Sequence, residues 1–343
     1  MKDGIVRFGI LGCGSVANYH AAAIAATPGA CLVCACGNTP EKAEAFCKAQ
    51  GIRRMDSYEA LLACPEVDAV SICTPSGLHA GEAIAAIQAG KHLVIEKPIS
   101  IRNEDADRIQ SAAAASDRVV CVISQFRFSD AAQAIRCAMD RGAFGKLVSA
   151  ALTMRYYRGQ DYYDSGAWRG TKALDGGGIL MNQGIHGVDL LAYLMGPVAE
   201  LTGYTRTRLR SIEVEDTACA ALSFANGAIG VIDATVCNQG GSPMRIEICG
   251  EKGSVVLEDE SITFWGLAEP CPCPVGVRSQ SSAAASPTGI STQNHIRQFR
   301  NFAAAVRGEE PLLVGVRDGH HALQIVCGVY ESAETGRPVT LDY

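Results

Sequence analysis

The stretch VRFGILGCGSVANYHAAAIAA, residues 6–26, decides the fold of the first part of the chain. An apolar run leads into a Gly-x-Gly-x-x-Ala loop, Gly12 to Ala17, and an Ala-rich segment follows. The first glycine allows a tight turn, Gly14 lets a diphosphate approach the backbone, and the alanine permits close packing of helix on strand. Because a strand precedes the loop and a helix follows it, the pattern has the context that it requires. The stretch therefore predicts a dinucleotide-binding βαβ unit.

The rest of the chain divides into two kinds of pattern. Up to Ser124, short apolar runs alternate with Ala-rich segments, which is the rhythm of a parallel sheet with crossover helices. Beyond Arg127, longer alternating strands follow, and Asn226-Gly227 is a strong hairpin signal. We expect an α/β Rossmann domain that binds NAD(P) over residues 1–124. Over residues 125–343 we expect an α+β domain with a large, mostly antiparallel open sheet for substrate binding and oligomerisation.

Composition excludes several classes of protein. The chain has 343 residues, of which 48% are hydrophobic, so two domains are expected and global disorder is excluded. Its net charge of -6 gives no support to a nucleic-acid partner. No apolar run approaches the roughly 20 residues of a membrane span, and the start lacks the order of a signal peptide. Fifteen cysteines with no disulfide framework indicate reduced thiols, so a cytoplasmic location is expected.

No metal site is expected. Cys31, Cys34 and Cys36 lie on a predicted strand, where side chains alternate between faces and do not converge on one ion. Cys271 and Cys273 have no matching second pair. They fall within residues 269–291, a segment rich in Pro, Ser, Ala and Gly that predicts a mobile surface loop.

The choice between NAD and NADP is left open by the turn after the second strand. A strict NAD site carries a carboxylate there, which accepts hydrogen bonds from the adenosine ribose. This chain has Gly37, Asn38 and Thr39 instead, with no acid and no adjacent Arg. The residues that we expect to contact the cofactor are Gly12, Gly14, Ser15, Val16, Asn38, Thr39, Thr74, Pro75, His79, Glu96, Lys97 and Gln125.

Three further stretches combine with the nucleotide loop into a recognisable set. They are CTPSGLH at 73–79, AGKHLVIEKPIS at 89–100 and DGGGILMNQGIHGVD at 175–189. The Glu96-Lys97-Pro98 triplet follows a parallel strand, at the end where such sheets bind ligands. Asn182 and His186 are four residues apart at the start of a predicted helix, which places both side chains on one face.

In their order and spacing, these motifs resemble the Gfo/Idh/MocA oxidoreductases, the group that contains glucose-fructose oxidoreductase and inositol dehydrogenase. The resemblance implies that Lys97 orients the substrate hydroxyl and the nicotinamide ribose, with a cis bond before Pro98. It implies that His186 exchanges a proton with that hydroxyl. Many sugar and inositol dehydrogenases of the family carry Asp at position 182, whereas this chain has Asn, as related nucleotide-sugar and glycoside dehydrogenases do. The departure favours a variant substrate class.

The residue types suit this chemistry independently of the family. An imidazole changes charge near neutral pH and serves as a general base, and an ammonium stabilises developing alkoxide charge. We therefore expect Lys97, His186 and Asn182 to be catalytic. Aromatic residues interleaved with arginines precede the Gly-rich stretch, and such side chains stack on sugar rings and bind their polar groups. The expected substrate-binding residues are Lys97, Arg127, Tyr157, Arg158, Tyr163, Trp168, Arg169, Asn182 and His186.

The leading hypothesis is an NAD(P)-dependent dehydrogenase that oxidises a secondary hydroxyl, or reduces a ketone, on a carbohydrate ring. The ring belongs to a sugar, glycoside, nucleotide sugar or cyclitol. Two alternatives stay open at this point: a redox-neutral, NAD-dependent glycosidase and a non-enzymatic nucleotide-sensing regulator. The expected partners are the small carbohydrate-like substrate and further copies of the chain, in a homodimer or homotetramer formed through the second domain's sheet.

Overall fold

Short apolar runs in the first third form a six-stranded parallel sheet. We analysed a computed structural model that describes residues 3–268 and 292–342; the predicted loop at 269–291, with Cys271 and Cys273, lies outside the described residues. The strand order is β3-β2-β1-β4-β5-β6, so the direction of winding reverses between β1 and β4. The strands are β1 (Val6–Leu11), β2 (Ala30–Cys36), β3 (Arg53–Arg54), β4 (Ala69–Ile72), β5 (His92–Ile95) and β6 (Val120–Val122).

Helices connect these parallel strands, as the sequence predicts. Parallel strands are covered on both faces, and Phe8, Ile10 and Val70 are accordingly fully buried. Gly90 follows the helix His79–Gln88 and has the left-handed φ of +74° that is common where helices end. The helices are α1 (Ser15–Ala25), α2 (Pro40–Gln50), α3 (Tyr58–Ala63), α4 (His79–Gln88) and α5 (Asn103–Ala114).

One helix from the C-terminal part of the chain packs with this first sheet. The rings of Phe299 and Phe302 both lie 5.7 Å from that of Phe8, and the Gln298 side chain donates to the carbonyl of Val122 at 2.8 Å. One compact unit therefore comprises the described residues 3–125 and 292–320, and the second comprises 126–268 and 321–342. The sequence predicts that residues 292–320 belong to the second domain, and in the structure the apolar side of this helix packs on the first core. A boundary between folding domains after residue 124 stays a prediction.

Eight strands form the sheet of the second unit. Their order is β13-β12-β11-β7-β10-β9-β8-β14, and every neighbouring pair is antiparallel except β7 with β10. This confirms the mostly antiparallel open sheet, and the Asn226-Gly227 turn joins β9 to β10. The strands are β7 (Leu147–Arg155), β8 (Val198–Arg206), β9 (Thr217–Phe224), β10 (Ile229–Thr235), β11 (Arg245–Gly250), β12 (Gly253–Glu258), β13 (Ser261–Leu267) and β14 (Val339–Thr340).

Within the described residues, one face of this sheet is covered by a helix, and the other exposes apolar side chains such as Val231 and Phe264. A Cβ at Gly187 of α8 would meet Met154 and Leu152 of β7, so the helix lies directly on the strand. None of the helices in the described part of the chain is long and apolar enough to cross a membrane. The remaining helices are α6 (Asp130–Asp140), α7 (Gln160–Asp164), α8 (Ile185–Met195), α9 (Gln293–Arg307) and α10 (Val316–Thr335).

Candidate active site

The loop after β1 has the geometry that a bound diphosphate requires. Gly12 has a φ of +94°, and a Cβ there would come within 2.7 Å of the Cys73 carbonyl oxygen. Gly14 caps α1 in an extended conformation, with nothing within 4 Å of the position of its Cβ. Ser15 is exposed, Val16 is half-buried, and no side chain caps the helix. The first amides of α1 are thus available to an anionic group.

Two alanine substitutions separate the roles of these glycines. Gly12→Ala is expected to destabilise the fold by at least about 1–3 kcal/mol, because of its left-handed backbone and its contact with Cys73. Gly14→Ala is expected to keep the stability and to weaken dinucleotide binding, since its Cβ would project into the space open to the diphosphate. Thermal unfolding and fluorescence titration with NADH measure the two effects. Equal losses of stability in both variants would contradict this division.

Three other predicted cofactor contacts lie just after β2 and β6. Asn38 and Thr39 are exposed after β2, and no carboxylate occupies that turn. Gln125, which follows β6, is buried, and its Oε1 has no hydrogen-bond partner among the described residues. An unsatisfied buried carbonyl is costly in a folded protein, so this amide fits a role in holding a ligand.

His79 contacts the backbone of two motifs, and its role as a cofactor contact stays a prediction. Its Nδ1 lies 2.8 Å from the Pro98 carbonyl oxygen and its Nε2 lies 2.9 Å from that of Thr74. Burial lowers the pKa of the ring, although both carbonyls oppose that shift. The buried imidazole is therefore committed to the backbone of the turns after β4 and β5, and the Lys97-Pro98 peptide that follows β5 is cis.

Thr74 and Pro75 flank the same region and are half-buried. The Thr74 hydroxyl donates to the carboxylate of Glu82, a residue that the sequence analysis did not single out. Burial raises the pKa of Glu82 to about 7, against the hydrogen bond from Thr74. This carboxyl group therefore changes charge near neutral pH, one helical turn from His79.

Glu96 forms a buried ion pair, and its role as a direct cofactor contact stays a prediction. Its Oε1 lies 2.8 Å from His20 Nε2, and its Oε2 accepts a hydrogen bond of 3.1 Å from the Lys97 amide. His20 Nδ1 lies 2.6 Å from the Ser71 hydroxyl. Both carboxylate oxygens are thus engaged within the first unit, and they hold the Lys97 backbone at the end of β5. The sequence signal for His20 was its spacing along the buried side of α1, beside Ala17 and Ala21.

The surroundings of this pair favour the charged forms of both partners. Burial opposes charge on Glu96, but the hydrogen bond and charge of His20, with Lys97 and His295, bring its pKa to about 2. Burial also lowers the pKa of His20, yet Cys73 and Glu96 outweigh it and raise that pKa to about 10. Ligand atoms of His20, Glu96 and His295 lie within 4.8 Å of one another, the one such group in residues 3–268 and 292–342. We assign no metal here, because the first two already bond to each other.

This ion pair predicts a stability that decreases at alkaline pH. The pKa of His20 is about 10 in the folded protein against an ordinary 6.5, so folding retains a proton between those pH values. The free energy of unfolding then decreases with rising pH by about 1.4 kcal/mol per pH unit. For Glu96 the pKa is about 2 against 4.5, so its contribution is lost only below pH 4.5. Urea unfolding from pH 6 to 10 should show the alkaline slope in the natural protein and not in His20→Gln; equal slopes would contradict the assignment.

The Gly-rich stretch of the second unit leads through a π-helical turn, Leu180–Gly184, into α8. A Cβ at Gly178 would lie 1.6 Å from the Glu215 carbonyl oxygen, so glycine is required there. The Glu215 carboxylate accepts hydrogen bonds from the Gly178 and Leu180 amides at 2.8 and 2.9 Å. π-Helical turns are frequent at functional sites, and this one carries Asn182 just before α8 begins.

Asn182 and His186 are positioned by separate contacts. The Asn182 side-chain amide donates to Asp175 Oδ1 at 2.8 Å. The half-buried His186 ring stands edge-on to Phe126, with centroids 5.5 Å apart. These contacts hold one amide and one imidazole at the start of α8, where the sequence predicted them.

Arg127 forms a buried ion pair, and its role in substrate binding stays a prediction. Its Nε and Nη2 donate to the two carboxylate oxygens of Asp189 at 2.9 and 2.6 Å, and only 4% of the residue is exposed. Its guanidinium also lies 4.8 Å from the centre of the Tyr193 ring. Bidentate pairing of this kind fixes α8 against the turn before α6.

The predicted aromatic and arginine residues form one connected cluster. Arg169 lies 4.3 Å from the Tyr162 ring and 4.7 Å from the Trp168 ring, and it donates to the Tyr162 hydroxyl. The guanidinium of the buried Arg158 lies 5.6 Å from the same Tyr162 ring. Its Nη1 donates to the Tyr157 carbonyl oxygen at 2.7 Å.

Polar atoms in the cluster also lack partners. The Tyr163 hydroxyl and Gln183 Oε1 are buried, and neither has a hydrogen-bond partner within the described part of the chain. Gln183 Nε2 lies 3.3 Å from the Tyr162 hydroxyl, which links the cluster to the π-helical turn. Sequence reasoning missed Gln183 and Arg210, the second of which lies 5.3 Å from the Tyr157 ring. The position of Gln183 within the Gly-rich stretch was the available signal.

Comparison with known proteins places this fold and these motifs in a family. Residues 6–124 match the family model described as an oxidoreductase family with an NAD-binding Rossmann fold, GFO/IDH/MocA, and residues 132–256 match the GFO/IDH/MocA C-terminal domain. An inositol 2-dehydrogenase from Rhizobium meliloti is 31% identical over 74% of this chain and 76% of its own. A scyllo-inositol 2-dehydrogenase (NAD(+)) from Bacillus subtilis is 28% identical over 98% of this chain and 96% of its own.

A solved structure is similar over the whole length. The WlbA dehydrogenase from Bordetella pertussis, in complex with NADH and UDP-GlcNAcA, is 34% identical, with a TM-score of 0.89 and coverage of 99% of both chains. The chain therefore belongs to the GFO/IDH/MocA family of oxidoreductases and carries that family's NAD-binding Rossmann fold.

Proposed function

We propose that the protein is an NAD-dependent dehydrogenase that acts on a secondary hydroxyl, or the corresponding ketone, of a carbohydrate ring. In this proposal His186 is the acid and base, Lys97 orients the hydroxyl and Asn182 contributes a polar contact. The observation that carries it is the cluster of aromatic rings, arginines and unsatisfied buried polar atoms beside the helix of His186. Such a cluster suits a ring with many hydroxyl groups, and it occurs here in a chain with an NAD-binding fold.

The proposed chemistry assigns a task to each side chain. When bound, the nicotinamide supplies the acceptor for the hydride that leaves the carbinol carbon. His186 takes the hydroxyl proton when the substrate is oxidised and returns it when the ketone is reduced. The Lys97 ammonium stabilises negative charge on the reacting oxygen, and its backbone is held by Glu96. Gly12, Gly14 and the first amides of α1 bind the diphosphate, Asn38 and Thr39 offer neutral contacts, and Gln125 offers a free carbonyl oxygen.

A substrate panel tests the proposal. The purified protein is analysed by mass spectrometry for bound nucleotide and is then assayed with NAD⁺ and NADP⁺ against scyllo-inositol, UDP-GlcNAcA, simple glycosides and aldoses. We expect nicotinamide reduction with at least one ring substrate. Release of free sugar from a glycoside with no net reduction would instead assign a glycosidase, and nucleotide binding without any turnover would assign a sensor.

We also propose a homodimer or homotetramer built through the open face of the second sheet. Ile229, Val231 and Phe264 are 64%, 49% and 53% exposed, and alternation along the paired strands places them on the same face. Contiguous exposed apolar side chains of this size are typical of protein interfaces. A cytoplasmic location belongs to the same proposal, and the thirteen cysteines of the described residues, none in a disulfide, support a reducing compartment.

Introducing a charge on the exposed face of the second sheet tests the assembly. Val231→Arg is expected to convert the assembly to a smaller species, because it places a charge in the centre of the apolar face. Light scattering coupled to gel filtration measures the mass. Leu209→Arg is the matched control, since Leu209 is 67% exposed but lies outside the sheet. An unchanged mass for Val231→Arg would contradict assembly through this face.

A further inference from the structure

Arginines of the second unit divide into two groups by their partners. Arg127, Arg136, Arg155 and Arg245 each form an ion pair with a carboxylate. Arg169, which lies in the aromatic cluster, forms no ion pair with any described residue, although the chain carries an excess of acids. Within the described residues, the positive charge of Arg169 is therefore not paired with a carboxylate.

Two guanidinium groups share one aromatic ring at this place. Those of Arg169 and Arg158 lie 4.3 and 5.6 Å from the centre of the Tyr162 ring. Burial lowers the pKa of Arg158, and the positive charge of Arg169 lowers it further. A third guanidinium, that of Arg210, donates from Nε to the Arg158 carbonyl oxygen at 2.6 Å. Like charges held this close repel one another unless an anion lies between or beside them.

The carboxylates around the cluster are occupied by backbone and side-chain amides. Asp175 accepts hydrogen bonds from the Gly170 amide and from Asn182. Asp216 accepts hydrogen bonds from three consecutive amides, at positions 208–210. The Glu215 carboxylate accepts hydrogen bonds from the Gly178 and Leu180 amides of the Gly-rich stretch. These groups are fixed as structural acceptors, so an anion that pairs with Arg169 must come from outside the described chain.

We propose that the stack of Trp168, Arg169, Tyr162 and Arg158 binds an anionic group of the sugar substrate, a carboxylate or a phosphoryl group. This inference rests on the proposed function and names its substrate class: the enzyme acts on charged carbohydrates in preference to neutral ones. Stacking on two rings fixes the plane of Arg169, and a fixed guanidinium fork matches the two oxygens of either anion. The unsatisfied Tyr163 hydroxyl and Gln183 Oε1 supply polar contacts for the rest of the ring.

Selectivity follows from the cost of an uncompensated charge. A neutral sugar would leave the Arg169 guanidinium without an anion, and a site built for a polar partner rejects an analogue that lacks it. Gln183 of the π-helical turn donates a hydrogen bond to the Tyr162 hydroxyl of the stack. The stack therefore lies beside the residues that lead into α8. The stack thus determines which sugars are held near His186.

Binding to the NADH-loaded protein tests the inference. Calorimetric titrations use D-glucuronate for the carboxylate, UDP for the phosphoryl group and D-glucose as the neutral probe. We expect one of the two anions to bind at least about tenfold more tightly than glucose, with an affinity that decreases as salt increases. Tighter binding of UDP would assign a nucleotide sugar, and tighter binding of glucuronate would assign a sugar acid. If neither anion bound more tightly than glucose, the inference would be wrong.

Variants assign the binding to this stack. Arg169→Gln is expected to weaken binding of the preferred anion at least about tenfold, and Arg169→Lys, which keeps charge without the fork, should lie between. Arg141→Gln is the matched control, because Arg141 is exposed at the end of α6 and forms no ion pair within the described residues. Unchanged affinity in a folded Arg169→Gln, or in Arg169→Lys if the first variant fails to fold, would overturn the assignment.

Turnover distinguishes this inference from the proposed function. If charged sugars were oxidised with the same kcat/KM by the natural protein and Arg169→Gln, the inference would fail and the dehydrogenase would stand. If no carbohydrate supported nicotinamide reduction, the proposed function would fail, while the titrations would still report on the anion site.

Discussion

The His186→Ala variant is expected to bind NADH normally and to lose about 100- to 10,000-fold in kcat, the range that a positioned acid and base contributes. The ring stands at the start of α8, edge-on to Phe126, and removal of the imidazole leaves the packing around Arg127 and Asp189 in place. Steady-state rates with the best substrate of the panel, measured across pH, test this expectation.

Added imidazole provides the control for this variant. A small base that enters the space left by the side chain should restore part of kcat, whereas a general disruption of the site would not respond. If His186→Ala kept kcat within about threefold of the natural protein and NADH binding were unchanged, proton transfer would have to be assigned to another residue.

For Lys97→Met we expect a loss of about 100- to 1,000-fold in kcat/KM, comparable to the removal of one donor from an oxyanion site. The ammonium would no longer stabilise charge on the reacting oxygen, while the β5 end would still be held by Glu96 and His79. The same steady-state assay measures it. Substrates that are already ketones, assayed with NADH, should show the same loss, because the two directions share one transition state.

Glu96→Gln is the informative partner of that variant. It keeps the ammonium but alters the group that holds the Lys97 amide and pairs with His20, and a smaller loss than that of Lys97→Met is expected. If Lys97→Met retained full kcat/KM, the lysine would have no part in the chemistry, whatever the effect of Glu96→Gln.

Sequence patterns predicted the elements that depend on interactions between residues close together in the sequence. The Gly-x-Gly-x-x-Ala loop, the hairpin at Asn226-Gly227 and the alternation of the second sheet each depend on the spacing of nearby residues, and the structure has all three. By contrast, α9 contacts Phe8 from nearly 300 positions away in the sequence. An amphipathic pattern shows that a helix has a buried side, but not which sheet it meets.

The same limit applies to the partners of three predicted site residues. Glu96, His79 and Arg127 are polar residues within or near the motifs, so a role as ligand contacts was the natural prediction. Their partners are His20, backbone carbonyls and Asp189, which sequence spacing does not reveal. Because buried polar groups are nearly always hydrogen-bonded, a polar residue within a motif can be bonded to other residues of the protein as well as to a ligand. The cluster of Tyr157, Arg158, Tyr163, Trp168 and Arg169 was predictable because its members are neighbours in sequence.

Direct hydride transfer tests the central claim most directly. Each ring substrate of the panel, deuterated at its ring carbons, is incubated with the protein and NAD⁺, and the nicotinamide product and the sugar are analysed by mass spectrometry. The account predicts that for at least one substrate a single deuterium moves from carbon to the nicotinamide as the sugar becomes a ketone and its hydroxyl proton is released. If the nicotinamide stayed oxidised and free of deuterium with every substrate, the protein would not be a carbohydrate dehydrogenase.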